Sequence, residues 1–323
     1  MALIYVTRQI PTVGLEALEA AGHEVVVSEK DGVLTPGELQ AALTERPYEG
    51  LVSLLTDTID ASVLAAAPQL RIVANYAVGY NNIDVADLAA QGVTVTNTPG
   101  VLTDTVAEFT VALMLALAKR IPEADRFTRA GHYTGWAPEL LLGSDLVGKT
   151  LGIVGAGRIG SGVARRAQHG FGMHVQYHDL NPSSELDAAN CTYCESLDTL
   201  LREADVVSLH VPLLPATTHL INAERLALMK PSAYLINTSR GPVIDEAALV
   251  EALGNGTIRG AALDVFAAEP ALSPGLAELD NVILTPHIAS ASQETRSRMS
   301  ELVAENLISF FAGGSPPHVV PTS

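Results

Sequence analysis

Gly148-Lys149-Thr150-Leu151-Gly152-Ile153-Val154-Gly155-Ala156-Gly157-Arg158-Ile159-Gly160 is the stretch that decides the fold. Thr150 to Val154 is an apolar run of strand length that ends directly on glycines spaced G-x-G-x-x-G, with helix-type spacing after them. Gly155 permits the tight turn, Gly157 lets the backbone approach a pyrophosphate, and Gly160 lets the helix pack closely on the strand. The N–H groups at the start of that helix would face the anion. A Gly-rich turn without a ligand is the plainer reading, and the strand before it and the helix after it argue against that.

About 20 residues beyond Gly160, in Gln176-Tyr177-His178-Asp179-Leu180, stands Asp179 at the end of the next apolar run. A carboxylate there accepts the hydroxyls of an adenosine ribose and repels a 2′-phosphate, and no arginine follows closely, so NAD is expected rather than NADP. The alternative is an ordinary strand-end acid capping the next turn.

Working outward, buried-strand patterns recur at Met173 to Tyr177, Val206 to Leu209, Tyr234 to Asn237, Gly260 to Asp264 and Val282 to Leu284, separated by helix-like stretches. An earlier series has strands at Leu3 to Thr7, Glu24 to Ser28, Gly50 to Leu54, Arg71 to Asn75 and Val93 to Asn97, with helices at Thr12 to Ala21 and Ala61 to Ala66. Strands alternating with helices imply parallel sheets covered on both faces. The pattern breaks at Thr98-Pro99-Gly100, and a long helix follows from Asp104 through Lys119, capped by Thr103 or Asp104. Gly131 to Gly148 reads as an irregular connection, and Ser292 to Phe311 as a long terminal helix. The 323 residues suit two domains of roughly 150 residues each.

Acidic residues number 36 against 19 basic ones, a net charge of −17 that repels nucleic acid and anionic membrane and favours small-molecule chemistry. An anionic ligand must then be captured by local positive groups. The longest apolar stretch, Phe109 to Ala118, is too short for a bilayer span, and the N-terminus shows no secretory pattern, so a cytoplasmic location is expected. Cys191 and Cys194 form a lone C-x-x-C without thioredoxin-like context or further zinc-ligand pairs; two incidental thiols and no metal are expected.

Three stretches each start on a buried strand and end in polar residues: Ile236-Asn237-Thr238-Ser239-Arg240-Gly241, Ala262-Leu263-Asp264-Val265-Phe266-Ala267-Ala268-Glu269, and Leu284-Thr285-Pro286-His287. In an open parallel sheet the carboxyl ends of strands converge on one ligand crevice, which would gather an arginine, an acid and a histidine beside the dinucleotide. Singly each has a bland reading; together beside the glycine turn they form a candidate active site.

With these residues in view, the sequence resembles the D-isomer-specific 2-hydroxyacid dehydrogenases, and among them the glyoxylate and hydroxypyruvate reductases. The resemblance runs nearly the whole chain, through Val6-Thr7-Arg8-Gln9-Ile10-Pro11, Leu54-Leu55-Thr56-Asp57, Ala77-Val78-Gly79-Tyr80-Asn81-Asn82-Ile83-Asp84, Thr98 to Asp104, and the three stretches above. It implies an α/β fold of two doubly wound parallel-sheet, Rossmann-like domains around a cleft. The NAD-binding domain, residues 99–286, would be inserted in a substrate domain of residues 1–98 and 287–323. It implies reduction of a small anionic 2-keto acid to its D-2-hydroxy acid, with His287 as general acid and base, Glu269 orienting and tuning it, and Arg240 binding the carboxylate and polarising the carbonyl. Val78 and Gly79 would hold the carboxylate through backbone N–H groups, and Leu55 and Trp136 would shape the pocket, Trp136 reaching from a second subunit of a homodimer. Arg158, Ile159, Val211, Pro212, Thr217, Thr238, Ser239 and Asp264 would be further nucleotide contacts, Asp264 being alternatively a structural cap. Many reductases of this group carry an arginine near the Asp179 position and use NADP, and here this chain departs from them.

Two rivals share the fold. Formate dehydrogenases have Gln where this chain has Glu269, which argues against them. An NAD-sensing corepressor would keep the same three residues, and this chain shows no basic tail or appended interaction segment. Phosphite or a bulkier 2-keto acid stays open as substrate.

Overall fold

A computed structural model of the chain describes residues 1–322 as two compact units, one formed by Met1–Leu102 with the C-terminal stretch from Ala291, the other by Thr103–Ser290. In the first unit the chain runs β1 (Leu3–Val6), α1 (Thr12–Ala20), β2 (Glu24–Val27), α2 (Pro36–Thr44), β3 (Gly50–Ser53), α3 (Ala61–Ala66), β4 (Ile72–Asn75), α4 (Val85–Ala90) and β5 (Thr94–Thr96). These strands pair in parallel in the order β2-β1-β3-β4-β5. The order reverses between β1 and β3, and in such sheets the loops beyond the carboxyl ends at that point form the binding crevice.

The second unit comprises α5 (Thr103–Ala118), α6 (Ile121–Arg129), β6 (Thr150–Val154), α7 (Arg158–Phe171), β7 (His174–His178), α8 (Ser184–Ala188), β8 (Thr192–Tyr193), α9 (Leu197–Glu203), β9 (Val206–Leu209), α10 (Ala223–Leu228), β10 (Tyr234–Asn237), α11 (Glu246–Gly254), β11 (Gly260–Leu263) and β12 (Val282–Leu284). Its seven parallel strands are ordered β12-β11-β10-β9-β6-β7-β8, with the reversal between β6 and β9. The chain then returns to the first unit as α12 (Gln293–Phe311), capped by the Ser292 hydroxyl, which accepts from the Thr295 N–H.

Strand alternation supplies two cores per sheet. In the first unit, Ile4, Val6, Val52, Ile72 and Ala74 pack on α1 and α12, while Tyr5, Leu51, Val73 and Val95 pack on α2, α3 and α4. The Ser300 hydroxyl fixes the return helix against α1 by donating to the Pro11 carbonyl at 2.6 Å and accepting from the Gly14 N–H. In the second unit, Leu151, Ile153, Val206 and Ile236 pack on α5 and α7, and Val154, Val207, Leu209 and Leu235 on α9, α10 and α11. Cys191 lies in one of these cores and Cys194 in the other, both as free buried thiols. Among the described residues no helix is long and apolar enough to cross a membrane.

The strands and long helices expected from periodicity are present. The helix ending near Lys119 is followed at once by a second one, α6, after Arg120 adopts a left-handed backbone at φ 56°. The units meet in sequence at Leu102 and at Ser290, a little beyond the expected Thr98 and Pro286. Val101 and Leu102 pack on the first unit's core, and the turn after β12 is hydrogen-bonded to Asp264 of the second unit as far as Ala289.

Candidate functional site

Gly155 follows β6 with φ at +98°, and a Cβ on it would come within 2.7 Å of the His210 backbone, so both conformation and space demand glycine. The turn is thereby pressed against the segment after β9, across the point where strand order reverses. Gly157 is the N-cap of α7 and makes no side-chain capping bond, and the position its Cβ would take is open space. The first N–H groups of α7 therefore face a cradle that a side chain at this position would fill. The cradle fits a pyrophosphate, held by backbone donors and the positive end of the helix.

Asp179, directly after β7, accepts from the Ala156 N–H at 2.7 Å through one carboxylate oxygen and from the Leu180 N–H at 2.6 Å through the other. Each oxygen keeps a lone pair for a ribose hydroxyl, and the carboxylate is fixed to the glycine turn itself. Arg158 is exposed and Ile159 half-buried in the first turn of α7. Val211 and Pro212 follow β9, and Thr217 folds their loop by donating to the Pro212 carbonyl at 2.6 Å and accepting from the Leu214 N–H at 2.8 Å. The neighbouring His210 ring bonds the Ser208 hydroxyl at 2.8 Å, and burial pulls its pKa down to about 3, so it stays neutral. These residues suit an NAD-type dinucleotide.

The end of β10 is organised by Asn237. Its amide donates to the Arg240 carbonyl at 2.9 Å and accepts from the Ser239 N–H and hydroxyl, while the Thr238 hydroxyl meets that of Thr110 at 2.9 Å. The Arg240 guanidinium donates to the Ser239 carbonyl at 2.7 Å. Burial lowers the Arg240 pKa, and the Glu269 charge opposes that. A Cβ on Gly241 would land on the Phe266 backbone, so glycine is required for the Arg240 segment to lie against the loop that carries Glu269.

His287 and Glu269 form the centre of the site: the Nδ1 of His287 lies 2.9 Å from Glu269 Oε2, and the Phe266 N–H donates to the other carboxylate oxygen at 3.0 Å. Burial works against a charged Glu269, but His287, that N–H and Arg240 together outweigh it and hold the carboxyl below its ordinary value. With Nδ1 engaged, Nε2 is the nitrogen left to exchange a proton with a ligand.

His287 sits at φ 54°, a left-handed conformation that histidine tolerates better than most residues. The turn is held by Asp264, fully buried, whose carboxylate accepts from the Thr285 hydroxyl at 2.6 Å and from the N–H groups of Ile288 and Ala289 at 2.9 and 2.8 Å. Of the two roles expected for Asp264, the structure shows the cap. Asp264→Asn would turn an amide donor toward these donors; we expect a stability loss of roughly 3 kcal/mol and a lower kcat with NADH affinity kept. An unchanged melting temperature and kcat would contradict this role.

Glu246 is not among the residues that sequence reasoning singles out. It is buried at the start of α11, accepts from the Ala267 N–H at 2.6 Å and the Ser273 hydroxyl at 2.7 Å, and so braces the loop bearing Glu269. Its only signal is an acid behind the Asp245 cap, which ordinarily marks a helix start.

In the first unit, Leu55 lies in the turn after β3 and Val78 and Gly79 in the segment after β4, both at carboxyl ends of strands. Trp136 lies in the connection between α6 and β6 and is 83% exposed.

A family model for the D-isomer specific 2-hydroxyacid dehydrogenase, NAD binding domain, matches residues 111–289. The glyoxylate reductase of Korarchaeum cryptofilum is 51% identical over 320 residues, covering 98% of this chain and 95% of that protein. A crystal structure of a Thermus thermophilus protein superposes with a TM-score of 0.93 at 45% identity, covering 99% of this chain and all, 100%, of that one. An NADPH-dependent glyoxylate/hydroxypyruvate reductase from Sinorhizobium meliloti, solved with NADP and malonate, gives a TM-score of 0.86 at 37% identity, covering 99% and 97%.

Proposed function

The chain belongs to the D-isomer specific 2-hydroxyacid dehydrogenase family, and from that premise we propose that it reduces glyoxylate, hydroxypyruvate or a similarly small 2-keto acid to the D-2-hydroxy acid, with NADH as the preferred donor. The observation that carries this reading is the hydrogen-bonded pair of His287 and Glu269 in the same unit as the glycine turn and Arg240. The glycine turn and Asp179 would hold the dinucleotide, whose nicotinamide would supply the hydride for the keto carbon. Protonated His287 delivers a proton from Nε2 to the carbonyl oxygen, and in the oxidative direction the neutral ring accepts it back. Glu269 fixes the ring through Nδ1 and leaves Nε2 facing the substrate.

Arg240 takes the substrate carboxylate and polarises the carbonyl; its planar, permanently charged fork is suited to both. In the first unit, the N–H groups of Val78 and Gly79 are proposed to hold a substrate carboxylate and Leu55 to line an apolar flank of the substrate. Product stereochemistry tests the reading: hydroxypyruvate and NADH should yield D-glycerate on chiral chromatography. The L product, or none from any small 2-keto acid, would contradict it.

Asp179 supports NADH over NADPH, because a 2′-phosphate beside its carboxylate would be repelled. The malonate-bound Sinorhizobium relative is described as NADPH-dependent, so cofactor choice at this position calls for direct assay. Asp179→Ala should raise the KM for NADH about tenfold and narrow the ratio of kcat/KM for NADH over NADPH. An unchanged ratio would remove Asp179 from cofactor choice.

A homodimer is the quaternary state proposed. Ile121, Tyr133, Trp136, Leu142 and Val147 are exposed along α6 and the connection to β6, an apolar density that marks association surfaces. Sedimentation as a monomer at micromolar concentration would rule the dimer out.

A further inference from the structure

Three successive carbonyls in the first unit are each tied back. The Ala77 carbonyl accepts from the Thr98 N–H at 3.0 Å, the Val78 carbonyl from Asn97 Nδ2 at 2.8 Å, and the Gly79 carbonyl from Asn75 Nδ2 at 2.9 Å. The peptides that follow these carbonyls are trans, so each N–H points opposite to the carbonyl of the residue before it. Fixing the carbonyls of residues 77, 78 and 79 therefore fixes the N–H directions of Val78, Gly79 and Tyr80. Among the described residues none of these three N–H groups has an acceptor. Consecutive unpaired N–H groups of this kind form an anion-binding concavity.

We propose that Asn75 and Asn97 are positioning residues for substrate: by holding the Gly79 and Val78 carbonyls they aim the Tyr80 and Gly79 N–H groups at the carboxylate of the 2-keto acid. The inference rests on the function proposed above and adds a third N–H, that of Tyr80, to its carboxylate site. Both asparagines are placed for this by the fold. Asn75 closes β4, is fully buried, and has its amide orientation fixed by the Ser53 hydroxyl, which lies 3.1 Å from Asn75 Oδ1 at the end of β3. Asn97 directly follows β5, its own N–H donating to the His318 carbonyl and its carbonyl accepting from Asn306 of α12 at 3.2 Å. Neither asparagine needs to touch substrate. Each presents a neutral donor to a backbone oxygen, and a released carbonyl would let its peptide plane rotate.

The test combines kinetics with a readout independent of turnover. Asn97→Ala, Asn97→Asp and Asn75→Ala should raise the KM for glyoxylate and the inhibition constant of oxamate together by roughly 10- to 100-fold, with the KM for NADH unchanged. Ser53→Ala should act in the same direction more weakly, and remains informative should the buried Asn75 variant fail to fold. In amide spectra of the wild-type protein, oxamate should shift the Gly79 and Tyr80 resonances, and the shifts should vanish in Asn97→Ala. A purely structural role would lower the melting temperature while leaving KM and the oxamate constant in place, and that result would overturn the proposal. So would wild-type Gly79 and Tyr80 resonances indifferent to oxamate. Wild-type protein that shows the shifts but reduces no 2-keto acid would count against the proposed function and leave the amide site standing.

Discussion

His287→Ala is expected to lower kcat for 2-keto acid reduction by about 100- to 10,000-fold, the range typical of a lost general acid, while NADH binding stays intact. In the proposed mechanism the variant removes the group whose Nε2 gives its proton to the carbonyl oxygen, and it leaves Asp264 to hold the turn through Thr285, Ile288 and Ala289. The pH profile gives an independent signature. Reduction takes a proton from His287 Nε2 and oxidation returns one, so the two directions should respond to pH in opposite senses. Glu269 sets the acidic boundary. Its carboxyl is held below the ordinary value, so the pair with His287 is present above that value and is lost only as pH falls through the lowered one. Reduction should therefore persist into pH values where an ordinary glutamate is already being protonated. Glu269→Gln, which keeps the shape and removes the titrating carboxyl, should abolish that acidic boundary. Profiles of kcat in both directions for the three proteins check all of this, and parallel slopes for reduction and oxidation would sink the assignment.

Arg240→Ala should reduce kcat/KM for glyoxylate by roughly 1,000-fold or more, since one lost oxyanion donor alone costs about 100- to 1,000-fold and the proposed role has this residue pair with the carboxylate as well. Arg240→Lys should recover only part of that, because an ammonium cannot reproduce the two-pronged contact. The loss should fall on the keto acid alone: the glycine turn and Asp179 are built without Arg240, so the KM for NADH should move little. A substantial share of the effect should appear in kcat, because polarisation of the carbonyl grows toward the transition state. A variant that saturates normally with glyoxylate at wild-type rate would contradict the role.

The parts of this molecule that are legible in its sequence share a physical property: they depend on residues adjacent along the chain. The run from Thr150 to Gly160 announces strand, turn and helix because sterics at Gly155 and Gly157 act locally. The Arg240, Glu269 and His287 stretches are legible because each ends a strand, and parallel topology places strand ends on one side without further information. The distance of 2.9 Å between His287 and Glu269 then follows from three-dimensional register that no local pattern encodes.

What stays hidden in the sequence depends on which distant backbone passes by. Glu246 reads as a helix-start acid until the 267–273 loop lies over it. Asn75 and Asn97 read as polar strand ends until the Val78 and Gly79 carbonyls turn toward them. Asp264 carries two readings because a strand-end carboxylate can serve a ligand or a turn, and only the three donors around it decide. The two-residue strand β8 is too short to produce any alternation, and α6 is hidden because the left-handed residue Arg120 separates it from α5 without a glycine to mark the break.

The proposed proton exchange at His287, coupled to reduction of a small 2-keto acid by a nicotinamide hydride, can be followed in a single assay. It records the near-ultraviolet absorbance of NADH with purified protein and glyoxylate, wild type beside His287→Ala at saturating concentrations of both substrates. The wild type should consume NADH steadily, and the variant should run at a rate about 100-fold lower, or less still. Equal rates for the two proteins, or no consumption by the wild type with glyoxylate or hydroxypyruvate, would contradict this mechanism.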